Sequence, residues 1–281
     1  MKSILLPTDF SKNSINAIKY AVELFKDEAC EFYVINIQKA SSFVSDDLMT
    51  MSSSATIYQT LIDAAKHSIV NVINEVKQKY QNPLHKFFSI VDYDNFVDGI
   101  NQICLARNID LIIMGTKGAS GAEKVIFGSN TARVMQRCST PVLAIPDGCK
   151  FRGIDKIAFP SNYLSEYKDE ELEILLHISK MYNSKIDVIH LANKSELSTD
   201  QENNRAFLDY YFSELTHEFV DLEKKDIFDT VQQYIKDNDI KLLAMMSRRH
   251  SFLERLFNRH LVEAFAFKID VPFLVMENSG N

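Results

Sequence analysis

Ile4-Leu5-Leu6-Pro7-Thr8-Asp9-Phe10 is an apolar run that stops at a proline and a carboxylate, and Ile157-Ala158-Phe159-Pro160-Ser161-Asn162-Tyr163 repeats it far along the chain. The first run reads as a short buried strand followed by a polar loop. Beyond it, Ser11 to Phe25 places Ile15, Ile18, Val22 and Phe25 at helical spacing. A β-rich run at Phe32–Ile37 comes next, then a polar Ser/Met/Thr stretch from Ser41 to Ser54 that reads as a loop or lid. An amphipathic helix then runs through Ile62, Ile69, Ile73 and Val76. Phe87–Val91 predicts a third strand, Asn95–Arg107 a helix and Leu111–Met114 a strand, with a helix at Ser129–Gln136 and a closing strand at Val142–Ile145. Strict alternation of strand and helix predicts an α/β fold, a parallel sheet covered by helices on both faces.

The closing strands repeat as well, Thr140-Pro141-Val142-Leu143-Ala144 being answered by Val271-Pro272-Phe273-Leu274-Val275. From Asp110 to Pro146 the two copies align without a gap at an offset of 131 residues. Repeats of this size predict tandem domains, 1–147 and 148–281. The linker falls at Asp147-Gly148-Cys149-Lys150-Phe151-Arg152-Gly153, a polar passage with two glycines.

A formal net charge of −7 argues against a nucleic-acid surface, because phosphate backbones are gripped by clustered Lys and Arg. No stretch approaches the roughly 20 apolar residues that span a bilayer. The opening meets Pro7 and Asp9 before any leader-like apolar core develops, so the expected location is cytoplasmic, with no membrane partner. Cys30, Cys104, Cys138 and Cys149 lack paired spacing and read as buried free thiols.

Of eight glycines in the chain, four crowd into one passage: Met114-Gly115-Thr116-Lys117-Gly118-Ala119-Ser120-Gly121, running on to Gly128-Ser129-Asn130-Thr131. Glycine after a parallel strand permits positive φ and close approach to a ligand, and a helix N-terminus offers amides and a positive dipole end to an anion. Phosphate binding is the chemistry implied. Ser129 or Asn130 would cap the helix, the hydroxyls of Ser129 and Thr131 would reach phosphate oxygens, and Lys117 would act as a mobile cation. Asp9 and Gly115 both end strands, where ligands of open α/β sheets bind. No G-x-x-x-x-G-K-[ST] occurs and no G-x-G-x-x-G follows a strand, which excludes the Walker and dinucleotide loops. Plainer readings stand beside these: Asp9 as a helix N-cap, Lys117 as a solvated charge, the glycines as turn residues.

The spacing Gly115-x2-Gly118-x9-Gly128-Ser129, with the opening Pro7-Thr8-Asp9-Phe10-Ser11 and closing Ser139-Thr140-Pro141-Val142-Leu143, resembles the ATP-binding branch of the universal stress protein family. The resemblance implies two tandem adenine-nucleotide α-hydrolase-like (Rossmann-like) domains, each a five-stranded parallel sheet. It implies adenosine near the ends of the first two strands, with Pro7, Thr8, Asp9 and Met114 beside it. Asp9 would face the ribose or, through ATP-bound Mg2+, a metal, and backbone groups of Ile37 would contact the base. Gly115, Thr116, Lys117, Gly118, Gly128, Ser129, Asn130 and Thr131 would surround ribose and phosphates. It also implies a stress-response role with an unidentified protein partner. The two halves would pair as an intrachain pseudo-dimer through the strands after Pro141 and Pro272, with homodimerisation a further option.

The second copy departs from the motif. Gly115, Gly118, Gly128 and Ser129 align with Met246, Arg249, Arg259 and His260, and Asp9 with Asn162. ATP is therefore expected in the first domain only. Arg248, Arg249, Arg255 and Arg259 form a basic cluster that reads as a solvated face, an anion site or a protein contact. His177 and His190 read as structural. A slow ATPase or a phosphoryl or nucleotidyl transferase is the rival reading, and a scaffold with a dormant pocket the third. Phosphoryl transfer needs a group that orients the nucleophile, and the first copy offers Asp9 without a second carboxylate.

Overall fold

A computed structural model describes residues 1–38, 51–116, 128–192, 197–223, 227–247 and 270–277. The first half runs β1 (Lys2–Pro7), α1 (Lys12–Leu24), β2 (Cys30–Gln38), α2 (Met51–Tyr80), β3 (His85–Tyr93), α3 (Phe96–Arg107), β4 (Leu111–Gly115), α4 (Ser129–Arg137), β5 (Val142–Ile145). The second runs β6 (Lys156–Ser161), α5 (Asp169–Tyr182), β7 (Lys185–Ala192), α6 (Thr199–Tyr211), β8 (His217–Glu223), α7 (Ile227–Asp237), β9 (Leu242–Ser247), β10 (Phe273–Glu277). These strands form one sheet in the order β3-β2-β1-β4-β5-β10-β9-β6-β7-β8. Each half is parallel throughout, and the halves meet where β5 and β10 pair antiparallel, Leu143 opposite Leu274.

Strand residues alternate between two apolar layers, as the two-residue period of a strand requires. Ile4 and Leu6 enter the layer packed by α1, α2, α5 and α6, whereas Leu5 enters the layer packed by α3, α4 and α7. Both faces are covered, which is why the inner strands read as unbroken apolar runs. The layers cross the seam: Leu143, Ile145, Leu274 and Met276 share one, Val142, Ala144, Phe273 and Val275 the other.

The expected strand at 87–91 is longer, because His85 and Lys86 already pair with Cys30 and Glu31. The polar stretch expected as a loop through Ser54 is helical from Met51. Serine costs a helix only about 0.5 kcal/mol relative to alanine, and the apolar stripe through Ile69, Ile73 and Val76 carries this helix. Residues 39–50 of that stretch lie outside the described residues. Cys30, Cys104 and Cys138 are buried free thiols, while Cys149 is only half-buried. Burial pushes the Cys104 thiol up to about 11.

Between β5 and β6, Gly148 and Gly153 take φ of +70° and +87°, a region that glycine enters at no steric cost. Phe151 between them wedges its ring against Tyr20 and Tyr182, each 5.3 Å away. Asn16 donates to the Cys149 carbonyl at 2.8 Å, Tyr182 donates its hydroxyl to Leu24 O, and His177 donates to Glu28 at 2.8 Å. The two halves are thus tied through α1 and α5 as well as through the sheet.

In the second half, His217 holds α6 to β8. Its Nε2 faces Asp209 Oδ1 at 3.0 Å and its Nδ1 faces the Leu215 carbonyl at 3.1 Å, so both ring nitrogens need protons. Burial opposes that charge, but the Asp209 and Leu215 acceptors outweigh it and hold the imidazole above its usual value. A raised pKa contributes stability that is complete below the unfolded value of about 6.5 and is lost as pH rises through the folded value. His85, pushed down by burial against the Phe25 carbonyl that supports its charge, acts in the opposite sense. Urea unfolding of wild type and His217→Gln should therefore differ most below pH about 6.5 and converge at higher pH. A difference independent of pH would show that the ring acts by packing alone.

Candidate functional site

The crevice lies where the sheet order reverses. From β1 the chain passes to β2 on one side, while β4 lies on the other, so the loops after β1 and β4 diverge at the strand ends. Thr8 continues the β1 ladder by donating its amide to Ile35 O at 2.8 Å. Its buried hydroxyl accepts from the Phe10 amide at 3.0 Å and meets Ser14 Oγ at 2.9 Å. Asn36 donates to the Thr8 carbonyl at 2.7 Å, and Gln38 donates to Asn36 Oδ1 at 2.6 Å. Phe10 is thereby held at φ +63°, a left-handed conformation uncommon for a bulky residue.

Asp9, between these anchored residues, is exposed and accepts from the Ser11 amide at 3.1 Å. It is not the cap of α1. Ser11 is, accepting from the Ser14 amide at 3.2 Å, because its φ of −66° and ψ of 157° set its hydroxyl over the first turn.

Gly115 ends β4 outside the left-handed region, so positive φ is not the reason for it. Its role is close approach: a Cβ there would sit 2.8 Å from Asn13 Cγ and Nδ2, the first turn of α1 lying against the strand end. The next residue, Thr116, donates to Ile145 O at 2.9 Å and accepts from the Gly128 amide at 2.6 Å. The chain therefore leaves the sheet and returns to it at one place. The segment between, with Lys117, Gly118 and Gly121, lies outside the described residues.

Gly128 is the cap of α4, with φ −59°, and as a glycine it makes no side-chain bond to the helix's first amides. The expected capping by Ser129 or Asn130 does not occur: both are already inside the helix and exposed. The amides of a helix's first turn lack intrahelical partners and suit an anion; here the Gly128 amide is already bonded to Thr116 O, which leaves those of Ser129 and Asn130 to be considered. Thr131 is buried and spends its hydroxyl proton on the Gly115 carbonyl at 2.8 Å, fastening α4 to β4. Ile37 is half-buried near the end of β2, and α3 can approach its side chain because residue 99 is glycine. Pro7 and Met114 are buried beneath the crevice.

Sequence reasoning passed over Asn13, Ser14, Asn36 and Gly99. A glycine inside a helical pattern was the available signal for Gly99. Asn36 carries no local signature, since the Thr8 carbonyl that it bonds lies on another element.

The second half keeps the first loop and surrounds it differently. Tyr163 takes φ +55°, donates its amide to Ser161 Oγ at 3.0 Å, and so matches Phe10 and Thr8. Asn162 accepts from the Leu164 amide as Asp9 does from Ser11. Here, however, α6 reaches over: Gln201 donates to Asn162 O at 2.9 Å and Asn204 to Tyr163 O at 2.8 Å. Tyr163 packs its ring against His190, with centroids 4.8 Å apart and planes tilted by 39°, and Met246 is buried at the place corresponding to Gly115. The basic cluster at Arg248, Arg249, Arg255 and Arg259 lies outside the described residues.

The Gly115 contact is open to a direct test. Gly115→Ala should cost roughly 1–3 kcal/mol in urea unfolding, and less in an Asn13→Ala background where the clashing amide is gone. Equal costs in the two backgrounds would remove Asn13 as the reason for the glycine.

The family model described as the universal stress protein family matches residues 1–146. Universal stress protein MJ0531 of Methanocaldococcus jannaschii is 26% identical over 145 residues, 51% of this chain and 81% of that protein. Universal stress protein MJ0577 of the same organism is 25% identical over 153 residues, 51% and 94% of the two chains. Among solved structures, a universal stress protein from Archaeoglobus fulgidus DSM 4304 has a TM-score of 0.67 at 19% identity, covering 98% of this chain and 96% of that one. At that identity the likeness speaks for the fold, and it extends over both halves. With the family match spanning just over half of its length, the chain belongs to the universal stress protein family.

Proposed function

We propose that this protein is an ATP-binding regulatory module of the stress response, with the nucleotide held by the first half alone. The observation that carries the reading is the contrast between the two crevices. In the first, α4 starts at Gly128 with no capping side chain, beside an exposed Asp9 and a Gly115 that keeps the strand end low. In the second, Met246 is buried at the position of Gly115, and the Gln201 and Asn204 side chains of α6 bond the carbonyls of the loop.

The fit to a nucleotide is chemical. The amides of Ser129 and Asn130 at the start of α4, with the exposed Ser129 hydroxyl, suit phosphate oxygens. Lys117 and Gly118 belong to the same loop and would add a cation and a close backbone. The backbone of Ile37 would face the base. Asp9 would accept from the ribose hydroxyls or from water on ATP-bound Mg2+; among the described residues no cluster of His, Cys, Asp or Glu makes a metal site by itself. Bound ATP would change the surface that a cytoplasmic protein partner meets.

Native mass spectrometry with Mg-ATP should find one nucleotide per chain that persists unhydrolysed, and Gly118→Val should abolish binding while urea unfolding stays cooperative. Two nucleotides per chain would overturn the single-half reading, and unchanged affinity in Gly118→Val would overturn the site. Steady release of ADP would make the protein an enzyme.

A further inference from the structure

The Asp9 loop is shaped by a residue that does not itself belong to the loop. Pro7 pairs with Ile35 and Pro160 with Ile189 in matching registers, which makes Asn36 and His190 equivalent positions one residue further along β2 and β7. Their environments differ in the next strand, where Asn36 faces Val91 but His190 faces Asp221. His190 turns to that carboxylate at 3.1 Å and packs, tilted, against the Tyr163 ring. The carbonyls of the second loop are then held from the other side, by Gln201 and Asn204 of α6.

In the first half Asn36 remains with the loop. It is buried, its amide donates to the Thr8 carbonyl at 2.7 Å, and Gln38 orients it from the opposite end at 2.6 Å. The Thr8 carbonyl belongs to the peptide unit that supplies the amide of Asp9. Thr8 N is fixed to Ile35 O, and Thr8 Oγ1 to the Phe10 amide. With Asn36 on the carbonyl, every polar group of Thr8 is bonded, so the direction in which the chain enters Asp9 is set.

We propose that Asn36 is a positioning residue of the nucleotide site, acting through the Thr8–Asp9 peptide to aim Asp9 at the ligand; this rests on the nucleotide reading above. The division of labour between the halves follows from it. A loop that must keep its outer face open is held from beneath by β2, whereas a loop with no ligand is held from above by a helix that covers it.

The test is a double-mutant cycle read by calorimetric titration with Mg-ATP, together with amide hydrogen exchange on the nucleotide-free protein. Asn36→Ala should weaken ATP binding roughly tenfold, equivalent to about 1.4 kcal/mol, in the otherwise native chain. In an Asp9→Ala background the same change should cost less than roughly twofold, because Asn36 acts through Asp9. Exchange at the Phe10 and Ser11 amides should accelerate in Asn36→Ala while the β1 and β4 core amides keep their protection. Should Asn36→Ala fail to fold, Gln38→Ala, which leaves Asn36 in place but unoriented, should reproduce both changes at about threefold in affinity. Equal losses in the two Asp9 backgrounds, or unchanged exchange at Phe10 and Ser11, would overturn the proposal. A wild-type protein that binds no ATP would overturn the nucleotide reading instead, and the exchange result would still decide whether Asn36 shapes the loop.

Discussion

The antiparallel ladder between β5 and β10 is the contact on which the rest of this molecule depends. Each half alone would end in an edge strand, Val142–Ile145 or Phe273–Glu277, with apolar side chains on both faces and unpaired backbone groups along one side. Such edges are poor surfaces in water. Pairing them satisfies the backbone and joins two half-cores into continuous layers. The parallel order of each half then follows outward from the seam, placing β1 and β4, and the opening between their loops, inside the sheet and away from its outer edges.

Within this shared frame the described residues of the two halves differ around the loop after the first strand. The frame features persist as pairs: Phe10 with Tyr163 in left-handed φ, and Asn108 with Asp239 in the same region just after a helix. What differs is the filling of the crevice. The first half uses small or outward residues there, Gly115 against Asn13 and Gly128 before α4, whereas the second uses Met246 and the amides of α6. A bulky side chain and a crossing helix are ordinary core packing when no ligand has to be admitted. The shared loop shape therefore belongs to the fold, whereas the residues around it are free to differ between the halves.

Much of the fold was legible because its signals are local or repeated. Continuous apolar runs such as Leu111–Met114 and helical spacing through Ile15, Ile18 and Val22 announce their elements, and the recurrence of Pro7 at Pro160 and Pro141 at Pro272 announces the duplication. The glycine cluster marked the crevice by composition alone. Its physical explanation was less legible. Gly115 yields to a neighbouring helix and not to a backbone torsion, and Gly128, not Ser129 or Asn130, starts α4. A torsion and a steric contact leave the same letter in a sequence.

The sequence by itself determined the alternation of strands and helices, the duplication, the asymmetry by which Gly115, Gly118 and Gly128 of one copy align with Met246, Arg249 and Arg259 of the other, and a formal net charge of −7. All of these are carried by residue type and spacing along the chain. Only the tertiary structure decided which polar groups meet: Asn36 with Thr8, His190 with Asp221, Gln201 and Asn204 with the second loop, Thr131 with Gly115. The reason is that a hydrogen bond depends on positions a few ångströms apart in space, which for these pairs lie 16 to 41 residues apart in the chain. No local pattern encodes such a meeting until the sheet has set its register.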